Sequence, residues 1–224
     1  MSKLTFYIDG SESKIGNTIR QGWGVVARHL TGKSVEINGF VDYSMEKRQA
    51  GGFYELLAFY HAVLHAEKHN ADPEQTSFYT DCSWVAYSGF HLERANKSNH
   101  RANIYKRLTL FQKFFCPNDK HAVIKLMRWL ALSQMHWIKG HKQIIDNCRA
   151  DYLARAAVKE KKIMKFHLWI NNGFGTWDSV NNCEAQWFPP FVKSITDKKK
   201  SELEKEKTVS FKWCKTSNAW EMAE

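Results

Sequence analysis

The chain opens on an alternation. In Lys3–Asp9 the apolar Leu4, Phe6 and Ile8 fall on one side and Thr5 and Tyr7 on the other, the two-residue period of a half-buried strand. That strand ends in Asp9-Gly10-Ser11, an acid followed by a turn glycine, and Gly16-Asn17 and Gly22 punctuate the loop after it. Trp23–His29 reads as the second strand, Thr31-Gly32-Lys33 as a hairpin turn and Ser34–Tyr43 as the third strand. Three strands without an intervening helix make an antiparallel meander. From Phe53 to Lys68 the period changes. Leu56, Leu57, Tyr60, Val63 and Leu64 recur at helical spacing, so Glu55 lies in the first turn of an amphipathic helix. Asp72-Pro73 breaks the chain, Ser77–Thr80 forms a short strand ending in Asp81, and Cys82–Leu92 forms a helix weakened at Ser88-Gly89.

A polar connector (Arg94–Asn103) precedes a helix that buries Tyr105, Leu108, Phe111, Phe114 and Phe115. Cys116-Pro117-Asn118-Asp119 interrupts it, and a second helical run, Val123–Leu132, leads to a strand around Met135, Trp137 and Ile138. Gly140 marks a turn and His141 sits on the loop. A last helix follows, with Asp146 and Asn147 as candidate caps and Leu153, Ala154, Ala156 and Ala157 on its apolar side. Asp151 falls in its first turns, where it and His141 reach one cleft. An imidazole and a carboxylate held at a strand–loop–helix junction suit chemistry better than packing.

A length of 224 residues with 43% apolar content supports one large domain, or one domain and a sizeable appendage. Cys82, Cys116, Cys148, Cys183 and Cys214 are odd in number and never form a CxxC pair, which argues against a disulfide framework and against a zinc site. The N-terminus runs straight into strand-like sequence, so no signal peptide is expected, and the apolar stretch Ala122–Ile138 carries Lys125 and Arg128, which argues against a transmembrane helix there. A cytoplasmic protein is expected. The net charge of +10 is uneven: residues 91–128 hold nine Lys and Arg against Glu93 and Asp119, while the other charges up to Ala157 cancel. Such a concentrated basic segment favours a polyanionic partner, nucleic acid above all.

Taken singly, Asp9, Glu55, Asp81 and Asp151 each have an ordinary reading, as turn residues or as acids answering a helix macrodipole. Together they describe a carboxylate cluster of the kind divalent cations need, because hard cations take oxygen ligands and crowded carboxylates do not all stay ionised without them. The series YIDGS, YELLAF, YTDCSW, WIKGH and NCRADYLARAA resembles type 1 ribonuclease H in order and spacing over roughly residues 1–157. The resemblance implies an α/β ribonuclease H-like fold: a five-stranded mixed sheet, three antiparallel strands then two parallel ones, flanked by helices. It implies hydrolysis of the RNA strand of RNA·DNA hybrids with two Mg²⁺ ions (Mn²⁺ as a substitute). By position, Asp9 would bridge the ions, Glu55 and Asp81 would hold the first and Asp151 the second. His141 would assist proton transfer or product release. Gly10, Ser11, Asn17, Ser83, Lys139 and Asn147 are the candidate substrate-binding residues; the sequence leaves the oligomeric state open, with a monomer as the expectation.

Two departures bear on selectivity. Gly51-Gly52-Phe53 stands where the family has an Asn-containing stretch that contacts the hybrid's minor groove, and Ser83 stands where a glutamine is common. A nuclease of the same fold acting on DNA or double-stranded RNA, or a non-catalytic hybrid-binding module, are the rival readings. Residues 158–224 lie outside the resemblance and form a second region. It carries Trp169, Trp177, Trp187, Trp213 and Trp220, and its Lys198–Lys207 reads as a solvated helix or tether. Its aromatics either pack an added subdomain or stack on unpaired bases.

Overall fold

The computed structural model describes residues 4–29, 34–44, 53–93, 98–139 and 144–160, together with strands at 165–169, 174–178, 208–214 and 219–222. Strands β1 (Leu4–Ile15), β2 (Thr18–His29) and β3 (Ser34–Ser44) form the antiparallel meander. Helix α1 (Tyr54–Lys68) leads to β4 (Ser77–Thr80). Helices α2 (Ser83–Glu93), α3 (Ser98–Phe115) and α4 (Ala122–Leu132) then precede β5 (Gln134–Trp137), and α5 (Ile145–Val158) follows it. The sheet order is β3-β2-β1-β4-β5, with β4 parallel to both β1 and β5. This is the five-stranded mixed sheet of a ribonuclease H-like fold.

Several boundaries differ from the sequence reading, among them the start of β2, which begins at Thr18 rather than Trp23 and takes in Gly22. β1 does not stop at Asp9 but pairs with β2 as far as Ile15↔Thr18, so Gly10 and Ser11 are strand residues rather than a turn. The chain reverses instead at Gly16-Asn17, with Gly16 (φ +59°) first in a two-residue hairpin connection that calls for a positive φ there. The connector before α3 is also shorter than expected, since the helix begins at Ser98.

One face of the sheet carries the main core. Leu4, Phe6 and Ile8 of β1 are fully buried, as their alternation requires. Phe6 stacks on Phe78 of β4 at 5.0 Å, and Phe78 meets Phe59 of α1 at 4.9 Å and Trp129 of α4 at 6.0 Å. Each such side chain removed from water contributes about 1.5–3 kcal/mol, so the aromatic cluster fixes how α1 and α4 sit on the sheet.

On the other face α5 lies directly on β1 and β2, with Ala150 and Leu153 packed on Val26 and Tyr7. The approach is close at Gly24, where a Cβ would fall 2.2 Å from the Ala150 carbonyl oxygen and 2.7 Å from the Ala154 nitrogen. Two ion pairs anchor the helix: Arg149 with Glu36 of β3, at 2.7 and 2.8 Å, and Arg28 of β2 with Asp146, whose Nε–Oδ2 distance is 2.8 Å. The capping expectation is corrected here. Ile144 occupies the N-cap position without a side-chain bond, while Asp146 is buried against Arg28 and Asn147 is buried beside it. A two-pronged charge-assisted contact outweighs a single cap bond.

Beyond α5, β6 (Lys165–Trp169), β7 (Phe174–Asp178), β8 (Thr208–Cys214) and β9 (Ala219–Met222) form a four-stranded antiparallel sheet in that order. Trp169, Trp177, Trp213 and Trp220 lie on these strands, with Trp213 opposite Trp220. Trp187 and the Lys198–Lys207 stretch lie outside the described residues. No helix among the described residues is long and apolar enough to cross a membrane.

The contact at Gly24 generates a direct test. Gly24→Ala forces β2 and α5 apart and is expected to destabilise the protein by about 2–3 kcal/mol, read as a lowered midpoint in urea unfolding. An unchanged midpoint would show that α5 does not rest on β2 as described.

Candidate metal centre and active-site cleft

The parallel pairing of β1 with β4 covers Thr5 to Tyr7 only, and beyond it the two strands part. Asp9 lies on β1 just past that point, and Asp81 follows Thr80, the last residue of β4. Crevices beyond the carboxyl ends of parallel strands are where α/β sheets present ligand sites. Glu55 enters from above, in the first turn of α1. It reaches Asp9 because Gly10 lets the start of α1 sit against β1. A Cβ at Gly10 would fall 2.5 Å from the Tyr54 carbonyl carbon and 2.7 Å from the Glu55 nitrogen.

Local bonds hold these acids in place. The Gly10 amide donates to Asp9 Oδ1 at 2.7 Å. The Trp137 indole N–H donates to the Asp81 carbonyl at 2.9 Å, and the Cys82 amide donates to Thr80 Oγ1 at 3.0 Å, so the turn carrying Asp81 is fixed from β5 and from β4. Carboxylate oxygens of Asp9, Glu55 and Asp81 lie within 4.8 Å of one another. Asp151 lines the same cleft from α5, outside that trio, and its Oδ1 accepts from Arg155 Nε at 2.7 Å.

The electrostatics follow from this crowding. Burial, then the charges of Glu55, Asp81 and Asp151, push Asp9 well above the usual carboxylate range. Glu55 is raised to about 8, by burial first and then by Asp81 and Asp151, with the Gly10 amide opposing both shifts. Glu55 as a residue is only half-buried, but its Oε2 is shut off from solvent and has no hydrogen-bond partner. An orphaned carboxylate oxygen beside two more carboxylates is an all-oxygen donor set. It fits a hard divalent cation and does not fit a soft thiophilic one.

The remaining sequence-derived residues divide. Gly10 and Ser11 line the cleft. Ser83 is exposed at the start of α2, and Lys139 is exposed two residues past β5. Asn17 is exposed at the hairpin tip and does not line the cleft, and Asn147 is only 3% exposed and does not line it either. His141, Gly51 and Gly52 lie outside the described residues. Phe53 is buried against Phe111 and Phe115, so its ring serves the core and is not offered to a duplex groove. Sequence reasoning missed Glu12, Tyr54 and Arg155, which also line the cleft. The Asp151–Arg155 spacing of four residues on a helix was a legible signal for the last of these.

The model of the RNase H family matches residues 1–159 of the chain. The ribonuclease H of a Ruegeria species is 30% identical over 166 residues, spanning 70% of this chain and 92% of the relative. That of Bartonella bacilliformis is 32% identical, spanning 70% and 90%, and that of Chlorobium phaeovibrioides is 33% identical, spanning 71% and 97%. Among solved structures, RNase H1 from the halophilic archaeon Halobacterium salinarum gives a TM-score of 0.43 with 18% identity, over 70% of this chain and 98% of that one. With most of its length matched and relatives of this identity covered almost end to end, the chain belongs to the RNase H family and is a nuclease.

Proposed function

We propose that this nuclease hydrolyses the RNA strand of RNA·DNA hybrids with two Mg²⁺ ions, leaving 5′-phosphate and 3′-hydroxyl ends. The observation that carries the reading is the convergence of Asp9, Glu55 and Asp81, from three separate elements, within 4.8 Å. Asp9, which feels the charges of Glu55, Asp81 and Asp151, would be shared between the two cations, with Glu55 and Asp81 holding one and Asp151 the other. When bound, such ions supply Lewis acidity, lowering the pKa of an attacking water and stabilising the departing oxygen. The protein's own contribution is positional. Trp137 and Thr80 keep the Asp81 turn in place, α1 seated on Gly10 aims Glu55 at Asp9, and α5 presents Asp151 from the opposite face of the sheet. His141 is proposed to move a proton or aid product release. The excess of Lys and Arg in residues 91–128 supplies attraction for the phosphate backbone.

Burial of Phe53 favours a second reading, a nuclease of the same fold acting on DNA or double-stranded RNA, since the usual amide contacts to the minor groove have no side-chain counterpart there.

Charge crowding also couples metal, pH and stability. A carboxylate whose folded pKa is raised binds more protons folded than unfolded, so stability falls as pH rises through the window between the two values. For Glu55 that window runs from 4.5 to about 8, and Asp9 acts in the same direction. In EDTA the melting temperature is expected to drop across this window, and Asp9→Asn is expected to flatten the drop. Saturating Mg²⁺ should restore stability at the upper end, as any ligand of the folded state does. A pH-independent melting temperature in EDTA would remove the charge crowding from the account.

The substrate reading is tested by incubating labelled hybrid, duplex DNA, duplex RNA and single strands with Mg²⁺, Mn²⁺ or EDTA. Cleavage of the hybrid alone, abolished by EDTA, is the expected result, whereas preferred cleavage of another duplex would establish the second reading. Asp9→Asn and Asp81→Asn should each reduce cleavage at least about a thousandfold, roughly 4 kcal/mol of barrier, while leaving the fold intact. Wild-type rates in either variant would sink the metal mechanism.

A further inference from the structure

Glu12 and Tyr54 line the cleft without belonging to the acidic trio. Strand alternation puts Glu12 on the face of Leu4, Phe6 and Ile8, the face that α1 covers, two residues beyond Gly10. Tyr54 is the first residue of α1, and its ring lies against Gly10, where a Cβ would fall 2.6 Å from Tyr54 Cδ2. The two side chains therefore share one stretch of the cleft wall. Glu12 is also held in place. Gln21, fully buried and directly opposite on β2, donates its Nε2 to Glu12 Oε2 at 2.8 Å, and the Tyr43 hydroxyl on β3 donates to the same oxygen at 3.4 Å. Among the described residues, Glu12 Oε1 and the Tyr54 hydroxyl have no hydrogen-bond partner.

The chemistry of this pair is selective. A carboxylate only accepts hydrogen bonds, whereas a phenol both donates and accepts. Facing a nucleic acid, Glu12 repels phosphate oxygens and is satisfied only by a donor. The donors a duplex offers at its minor groove are the RNA 2′-hydroxyl and the guanine 2-amino group. An amino group uses the carboxylate alone. A hydroxyl uses both residues, giving its proton to Glu12 Oε1 and accepting one from Tyr54. We infer that Glu12 and Tyr54 bind a 2′-hydroxyl of the RNA strand beside the metal centre, and are specificity-determining residues by which this cleft tells RNA from DNA. A deoxyribose in that place would strip water from the carboxylate and return no hydrogen bond, which penalises DNA more than the contact itself rewards RNA.

This inference rests on the hybrid-cleavage reading above and names the groups that read its substrate. It is tested with the full chain in Mg²⁺ on hybrids of one sequence, carrying a single 2′-deoxy residue at each position around the cut in turn, and inosine for guanine in a parallel set. In the wild type one 2′-deoxy position is expected to lower kcat/KM by about ten- to a hundredfold. Glu12→Ala should lower kcat/KM on the unmodified hybrid by a similar factor and Tyr54→Phe by about three- to tenfold. On the hybrid lacking the sensitive hydroxyl, each variant should match the wild type within about threefold, the non-additivity that marks a direct contact. Losses that simply multiply overturn the inference, as does the absence of any sensitive position. Coupling of Glu12 to inosine instead of to a 2′-deoxy residue would assign it to a guanine amino group. A raised Mg²⁺ requirement in Glu12→Ala, with selectivity unchanged, would make Glu12 an aid to the cation and also overturn the inference. A wild type that cleaves no hybrid, or cleaves duplex DNA equally well, removes the hybrid reading and this inference with it.

Discussion

Three carboxylates held within 4.8 Å of one another, one of them with an oxygen that has neither solvent nor a hydrogen-bond partner, form the constraint on which this structure turns. Like charges at that spacing in a poorly solvated site repel by several kcal/mol unless they are protonated or met by a cation. The upward shifts of Asp9 and Glu55 express burial first and this repulsion second. A chain free to relax would splay the three acids apart. Their persistence requires that each be fixed by contacts stronger than their mutual repulsion.

The contacts that do so are mostly distant from the chemistry. The aromatic cluster of Phe6, Phe59, Phe78 and Trp129 seats α1 on the sheet, and Glu55 is carried to Asp9 as a consequence. The Trp137 indole secures the backbone of Asp81 from the neighbouring strand. On the far face, two buried or half-buried arginine–carboxylate pairs hold α5 against β2 and β3, and Asp151 arrives from there. Burying such charges does not of itself make a protein more stable. Their geometry does fix the position and rotation of α5, and the cleft requires that more than it requires raw stability. The site is thus a destabilised point supported by an over-determined frame, the usual relation between stability and function.

Sequence by itself determined a good deal here. The two-residue period of Leu4, Phe6 and Ile8 and the helical spacing of Leu56, Leu57, Tyr60 and Val63 follow from local backbone geometry, and the structure buries those residues accordingly. Asp9, Glu55, Asp81 and Asp151 were legible as a set because each sits within a short motif beside a strand or helix boundary. What tertiary structure alone decided is pairing over long separations. Asp146 has the sequence of a cap, yet Arg28, 118 residues away, takes it. Gly10 has the sequence of a turn, yet it is a strand residue kept small by the approach of α1. Phe53 stands in a substrate-contacting position of the linear pattern and turns into the core. Local periodicity encodes which side of an element is apolar. Which distant group comes to lie against a given side chain depends on how whole elements pack, and that choice is made by the summed burial and charge of the folded state.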